Sequence, residues 1–429
     1  MKQRLVVLSA DAMVNEDLAF FKTLSNFNRY LIGGAEVKTL KSVYPTVTYP
    51  IHVSISTGTY PERHGINSNH EFHPGVLDPP WNWFHKPTGG KDIFDAAKEK
   101  GYSTAAVFWP VTGKHPSIDH LIDEYWTQFP GETLRDAFTR AGSKEGELKI
   151  IEKNSHGLKE RIHPECDEFI INCSCDIIRQ YKPELLFIHI ANIDDYRHKN
   201  GNFNDKVIRG IEETDEWIGR LMAALEDAGV IDDTNFFVIS DHGQLDIKRV
   251  VNLNVLFADY GLIQNDGSGK LIGWDAYNLS NGLSSLVYLQ NPLDLKLYQK
   301  VHRLLMYLCE EGIYGISRVY TEAEARKSER LGGDFSFVLE SDDYSAFGDD
   351  WNRPLVKGFD LSDYRYGRAT HGYLPHKGPQ PMLLARGRGI SEGITLERRN
   401  IVDLAPTFAK LLGLNIGSVD GVCINEILK

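Results

Sequence analysis

One threonine, three aspartates and three histidines, all in short motifs, are the residues of this 429-residue chain best placed by type and spacing to do chemistry together. Thr48 sits in Tyr44-Pro-Thr-Val-Thr-Tyr-Pro-Ile-His-Val-Ser-Ile-Ser, the form of a loop that delivers one hydroxyl to the start of a helix, and it reads as a nucleophile. A threonine hydroxyl is a poor nucleophile at its own pKa, and none of Tyr49, Pro50 or Ile51 can act as its base, so the activator has to come from elsewhere. A metal ion can fill that role. Asp11, Asp194, His198, Asp241, His242 and His371 supply the ligand types, most of them at the ends of apolar runs. A mixed oxygen and nitrogen set of three Asp and three His suits two zinc ions, or manganese or another divalent ion, with room left for substrate oxygens.

Taken singly, each ligand has a plainer explanation. An aspartate after a strand, as at Asp11, is commonly an N-cap or turn residue, and Asp194 with His198 reads equally as a loop pair. His371 between Thr370 and Gly372 is weak alone. Asp241-His242-Gly243 is stronger, because an adjacent acid and imidazole at a buried strand end must find partners. Only the constellation points to metal binding. His120, His163 and His302 read as surface or core residues.

The elements that must position these groups alternate between strand and helix. Leu5 to Ala10 is an apolar run of the kind buried on both faces of a parallel sheet, and it ends at Asp11. Leu185 to Ile190 leads to Asp194 and His198, and Phe236 to Ser240 leads to Asp241. In a parallel sheet the carboxyl ends of such strands share one edge, where ligands bind. Helical patterns are expected at Glu16 to Tyr30, Gly90 to Lys100, Leu134 to Arg140, Cys166 to Tyr181, Phe203 to Ala228 and Ile401 to Leu412, with further strands at Thr104 to Phe108 and Pro381 to Ala385. Ser143 to Glu165 is charged and poorly periodic, and is expected to be a surface excursion. From Arg249 to Ala369 the pattern changes to a compact β-α-β-β insertion (strands 284–289, 316–320 and 335–340, helix 295–311). The expected organisation is a catalytic domain over 1–248 and 370–429, with a cap over 249–369.

A formal net charge of −12 and the lack of a dense Lys/Arg run argue against a nucleic-acid polymer as partner, while leaving a small nucleotide open as substrate. No apolar run approaches membrane-spanning length, and the N-terminal apolar stretch is too short for a secretory core, so no membrane partner is expected. The cysteines Cys166, Cys173, Cys175, Cys309 and Cys423 are odd in number, and Cys173 with Cys175 lacks CxxC spacing. Reduced thiols in a cytoplasmic protein are the expectation. The oligomeric state is left open.

The motifs Asp11, Thr48-Tyr-Pro, Ser56-Thr-Gly-Thr-Tyr-Pro-Glu-Arg-His-Gly-Ile-Asn-Ser-Asn69, Phe108-Trp-Pro110, Asp194 to His198, Ser240-Asp-His-Gly243 and Thr370-His-Gly-Tyr373, in this order, closely resemble those of the type I phosphodiesterase/nucleotide pyrophosphatase family of the alkaline phosphatase superfamily. The resemblance implies an alkaline-phosphatase-like α/β sandwich with a mostly parallel central sheet and a smaller α+β cap insertion. It implies two zinc ions, one held by Asp194, His198 and His371, the other by Asp11, Thr48, Asp241 and His242. Asn69 matches the asparagine that binds a non-bridging phosphoryl oxygen, Tyr49 matches an aromatic of the leaving-group or base pocket, and Trp109 is expected to touch substrate. The implied activity is hydrolysis of phosphodiester or pyrophosphate bonds through a phosphothreonine intermediate. Phosphonoacetate hydrolase resembles the same motif set, so cleavage of a C–P bond is the rival reading, and a non-catalytic metal- or phosphate-binding protein is the alternative of another class. The chain departs from the family at Ile51, where asparagine is frequent.

Overall fold

In the computed structural model, which describes residues 3–88 and 90–429, β1 (Arg4–Ala10) lies at the middle of an eight-stranded sheet. With β2 (Ala35–Lys41), β3 (Thr104–Val107), β4 (His120–Ile122), β5 (Leu185–Ile190), β6 (Thr234–Ile239) and the late strands Leu383–Gly387 and Thr395–Asn400, the order is 395–400, β2, 383–387, β6, β1, β5, β3, β4. All neighbours are parallel except 383–387, which runs antiparallel to both β2 and β6. Expected strands 5–10, 185–190 and 236–240 are thus present and adjacent. β2, β4 and 395–400 lie nearer the edges, where polar residues interrupt the apolar runs.

Alternation along β1 builds the layers. Val6, Leu8 and Ala10 enter a core with the helices Glu165–Tyr181 and Asp205–Asp227, whereas Leu5 and Val7 enter one with the helices Thr48–Thr57, Ile93–Glu99 and Leu404–Leu412. Successive strand residues point to opposite faces, so a wholly apolar strand needs cover on both sides. The chain is an α/β sandwich.

None of the strands between 249 and 369 joins this sheet. Ala276–Ser280, Ser284–Leu289, Phe337–Ser341 and Ile316–Thr321 make a separate antiparallel sheet in that order. One face packs on the helix Leu295–Glu311 through Val301, Leu305 and Leu308. The other, through Leu286 and Val338, meets Tyr44 of the main body, whose hydroxyl donates to Glu340 Oε2 at 2.8 Å.

Two expectations are corrected. Glu16 to Tyr30 is broken into short helical turns, and 143–165 contains the helix Glu145–Asn154, which buries Leu148, Ile150 and Ile151.

Candidate active site

Register decides where the ligands emerge. Ala10 pairs with Ile190 of β5, and Ser9 pairs with Ile239 of β6, so the three central strands finish side by side. Asp11 follows at once. Asp241 lies two residues past β6, and its Oδ1 accepts from the Ala12 N–H at 3.3 Å. Asp194 and His198 are one turn apart on the helix Asn192–Asn200, a spacing that puts both on one face. His371 arrives from the far side of the insertion and stacks on His242 with ring centroids 4.1 Å apart.

Ligand atoms of Asp194, His198 and His371 lie within 4.8 Å of one another, and so do those of Asp11, Asp194 and His242. Asp241 Oδ2 is 3.4 Å from His242 Nε2, and the Thr48 hydroxyl is 3.2 Å from the same nitrogen. The structure therefore brings together all six sequence-derived ligands and Thr48. The donor chemistry fits a cation. His198 Nδ1 donates to the Ala369 carbonyl at 2.7 Å, which turns its Nε2 to Asp194 Oδ2 at 3.1 Å. Both nitrogens of His371, Asp11 Oδ1 and Asp241 Oδ2 are buried with no hydrogen-bond partner among the described residues. Buried polar atoms left this way are costly unless something pairs them.

The electrostatics run the same way. Burial, with Asp241 and Asp194 alongside, pushes Asp11 well above the usual carboxylate range. Burial also acts to raise Asp194, but His198, His371 and His242 overcome it and hold that carboxyl far below its ordinary value. Burial and the neighbouring His242 drive His371 well below the usual imidazole range. Three carboxyls and three imidazoles packed together form a site for positive charge. A third cluster, His85, Asp92 and His115, is different. There His115 Nδ1 accepts from the Ser117 N–H at 3.1 Å, so Nε2 carries the proton it donates to Asp92 at 2.7 Å.

Thr48 opens the helix Thr48–Thr57, and Gly58 closes it in a left-handed cap with φ of +67°. Asn69 Oδ1 accepts the Tyr49 N–H at 2.9 Å, so its Nδ2 amide is turned to the cavity beside Thr48, within 3.4 Å of the Tyr364 hydroxyl. The first backbone N–H after Thr48 is thereby occupied, and Pro50 has none. Ile51 faces inward into the core beneath the helix.

Two expected substrate contacts are corrected. Trp109 is 0% exposed, packs on His52 and Phe187 and donates its indole N–H to Ser56 Oγ at 2.9 Å. Phe108, with φ of +57°, turns the chain at the strand end, so Phe108 lines the cavity and Trp109 passes under the helix. Tyr49 is likewise fully buried and braces Trp81 edge-on at 5.3 Å.

The cavity, about 740 Å³, takes its aromatic wall from Trp81, Trp83, Trp126 and Tyr364. Tyr364 lies 5.6 Å from His198 and 6.1 Å from His371, ring to ring. Several positioning groups escaped the sequence reading. His189 Nε2 is 3.4 Å from Asp11 Oδ2; Gln244 Nε2 donates to Asp194 Oδ1 at 2.5 Å; fully buried Arg197 ties the ligand-bearing helix to Asp17 at 2.6 Å and to the Ala12 carbonyl at 3.1 Å. The signal for Arg197 was its place between Asp194 and His198. His189 was the single polar residue in a buried strand.

With this geometry in hand, the family model for type I phosphodiesterase / nucleotide pyrophosphatase matches residues 5–319, most of the chain. The chain belongs to this family. The ectonucleotide pyrophosphatase/phosphodiesterase family member 1 of Mus musculus is 26% identical over 239 residues, which are 53% of this chain and 22% of that relative. Venom phosphodiesterase 2 of Crotalus adamanteus is 25% identical over 241 residues, 52% of this chain and 25% of the relative. The matched part thus spans about a quarter of these relatives' length. Among solved structures, murine ectonucleotide pyrophosphatase/phosphodiesterase 5 superposes with a TM-score of 0.67 at 18% identity, covering 100% of each chain. An inactive threonine-to-alanine form of that murine protein, in complex with AMP, gives 0.66 at 19% identity, again over 100% of each chain. These confirm the alkaline-phosphatase-like fold.

Proposed function

We propose that the protein is a two-zinc hydrolase that cleaves phosphodiester or pyrophosphate bonds of nucleotide-like substrates through a phosphothreonine. The observation that carries this reading is the Thr48 hydroxyl, 3.2 Å from His242 Nε2 at the edge of six converging ligands, with the Asn69 amide beside it. Asp194, His198 and His371 would hold one ion, and Asp11, Thr48, Asp241 and His242 the other. Ions bound there supply Lewis acidity, lowering the pKa of a bound hydroxyl and neutralising charge on attacking and leaving oxygens.

The chain's own groups do the rest. The helix start fixes the Thr48 oxygen for in-line attack, in which the bond to phosphorus forms as the leaving-group bond breaks. Asn69 Nδ2, held by the Tyr49 N–H through its own oxygen, is placed to donate to a non-bridging oxygen. Water then attacks the phosphothreonine and restores Thr48. The aromatic wall gives the esterified arm a surface on which to stack. AMP in the murine neighbour supports a nucleotide as that arm.

As part of the same proposal, residues 249–369 act as a cap, since Asn252, Asp349, Tyr364 and Arg365 from that stretch line the cavity. We also place the protein in the cytoplasm, on its odd number of cysteines and the lack of any disulfide among the described residues; recovery of a secreted, disulfide-linked product from cells would overturn that placement. The test of function is a substrate panel on zinc-loaded protein. Thymidine 5′-monophosphate p-nitrophenyl ester should be cleaved faster than p-nitrophenyl phosphate, with loss on chelation and recovery with zinc. Phosphate release from phosphonoacetate with neither ester cleaved would move the assignment to C–P hydrolysis.

A further inference from the structure

The stretch 143–165, expected to lie on the surface, ends on the cavity wall, which Arg161, Ile162 and His163 help to line. Arg161 has a backbone φ of +60°, the left-handed region in which a non-glycine residue is uncommon and is held by its surroundings, often at functional sites. Its guanidinium carbon stands 5.3 Å from the centroid of the Trp81 ring. Trp81 is 5.4 Å from Tyr364, which in turn borders His198, so one file of rings runs from Arg161 to the ligand cluster.

Most other cations on this wall are already matched. Lys199 pairs with Asp195 at 2.8 Å, and Arg365 pairs with Asp349 at 2.5 Å and Asp363 at 2.8 Å. Lys357 lies over the Tyr366 ring. Among the described residues no carboxylate comes within ion-pair distance of Arg161, yet its charge is felt in the cavity. Burial, together with Arg365 and Arg161, drives His70 well below the usual imidazole range. Burial pushes Glu124 up to about 8 against the pull of Tyr49 and Arg161. A guanidinium held over an indole still presents N–H donors in the fork that matches phosphate or carboxylate.

We propose that Arg161 is a specificity-determining residue that binds a second anionic group, phosphate or carboxylate, on the arm of the substrate remote from the scissile phosphorus. The inference rests on the phosphodiesterase reading above. It assigns the preferred substrates to a class: diesters or anhydrides with a further acid beyond the reacting centre.

Steady-state kinetics of the full-length protein, wild type against Arg161→Gln, test it with three substrates. Thymidine 5′-monophosphate p-nitrophenyl ester carries no second acid; ATP, attacked at its α-phosphorus, carries a phosphate; the 3-carboxy-4-nitrophenyl ester of thymidine 5′-monophosphate carries a carboxylate. The ratio of kcat/KM for an acid-bearing substrate to that for the neutral ester should fall at least about tenfold in Arg161→Gln, mainly through KM, and Arg161→Lys should retain part of it. A fall confined to ATP identifies phosphate as the group, and one confined to the carboxy ester identifies carboxylate. Equal losses on all three substrates, or an unchanged ratio, overturn the role of Arg161 alone, as does wild-type cleavage of the neutral ester only. Wild-type protein that cleaves none of the three overturns the phosphodiesterase reading and this inference with it. Should Arg161→Gln fail to fold by circular dichroism, the ratio in Arg161→Ala decides on the same criterion.

Discussion

Asp11, Asp194 and Asp241 follow three adjacent strands of one sheet, whereas Trp81, Tyr364 and Arg161 reach the neighbouring cavity from three segments far apart in the chain. The floor is fixed by parallel register: once Ala10 faces Ile190 and Ser9 faces Ile239, the acids that follow must emerge together. The walls are fixed by packing, ring against ring and loop against loop, with no shared ladder. Floors of this kind can be found from short motifs, while walls depend on contacts between segments that carry no mutual signal in sequence. On the reading proposed above, the floor does the chemistry and the wall selects the substrate.

Changes to the floor should therefore strike kcat and changes to the wall KM, and the largest effect is expected at Thr48. Thr48→Ala removes the attacking oxygen and one of several ligands, so kcat should drop by about 10³-fold or more while most bound metal survives. Single-turnover kinetics with metal analysis check this; a rate close to wild type would mean that water attacks directly.

Arg197→Met probes how the floor is held. It strands the buried Asp17 carboxylate without its 2.6 Å partner, a loss on the order of 3–5 kcal/mol by the usual cost of breaking a buried pair. Denaturant unfolding measures it, and a loss below about 1 kcal/mol would show that Arg197 is not what fastens the ligand-bearing helix.

The floor is also braced by neutral histidines. Burial pulls His64, which bonds Ser54 Oγ behind the Thr48 helix at 2.9 Å, from 6.5 down to about 3. Between those values the unfolded chain binds a proton that the folded one does not, so stability falls as pH drops through that window, by about 1.4 kcal/mol per unit for one such group. His64→Gln should flatten this dependence in urea titrations between about pH 6.5 and pH 4. An unchanged slope would exclude His64 as its source.

On the wall, Tyr364→Leu should lower kcat/KM for a nucleoside ester by about tenfold, the scale of one aromatic contact, with metal content intact. Loss of metal instead would make Tyr364 part of the floor. The smallest effect is expected at Trp109. Trp109→Phe should cost about 1 kcal/mol of stability through the lost Ser56 bond and leave KM as it was, and a raised KM would return Trp109 to the substrate site.

How much was legible follows from these physical differences. Strands such as Leu185–Ile190 and the helix Leu295–Glu311 show in sequence because burial on two faces, or on one stripe, leaves a pattern. Ala276–Ser280 was missed within a run of Gly, Asn and Asp, because its residues are buried by neighbouring strands and not by a pattern of their own. Trp109 was misplaced by one residue: the left-handed turn at Phe108 exchanges which ring faces the cavity, and a local dihedral of that kind leaves no periodic trace.

By itself the sequence determined the α/β alternation and singled out the six candidate ligands, Thr48 and Asn69, because each lies at the end of an apolar run or in a dense motif whose polar groups need partners. Only the tertiary structure decided that Tyr49 is buried against Trp81 and Trp109 beneath the helix, that Arg197 and His189 brace the candidate ligands, and that Arg161 comes to rest over Trp81. Such placements arise from the packing of segments about 30 to 180 residues apart, and packing is a property of the assembled core that no single stretch of chain encodes.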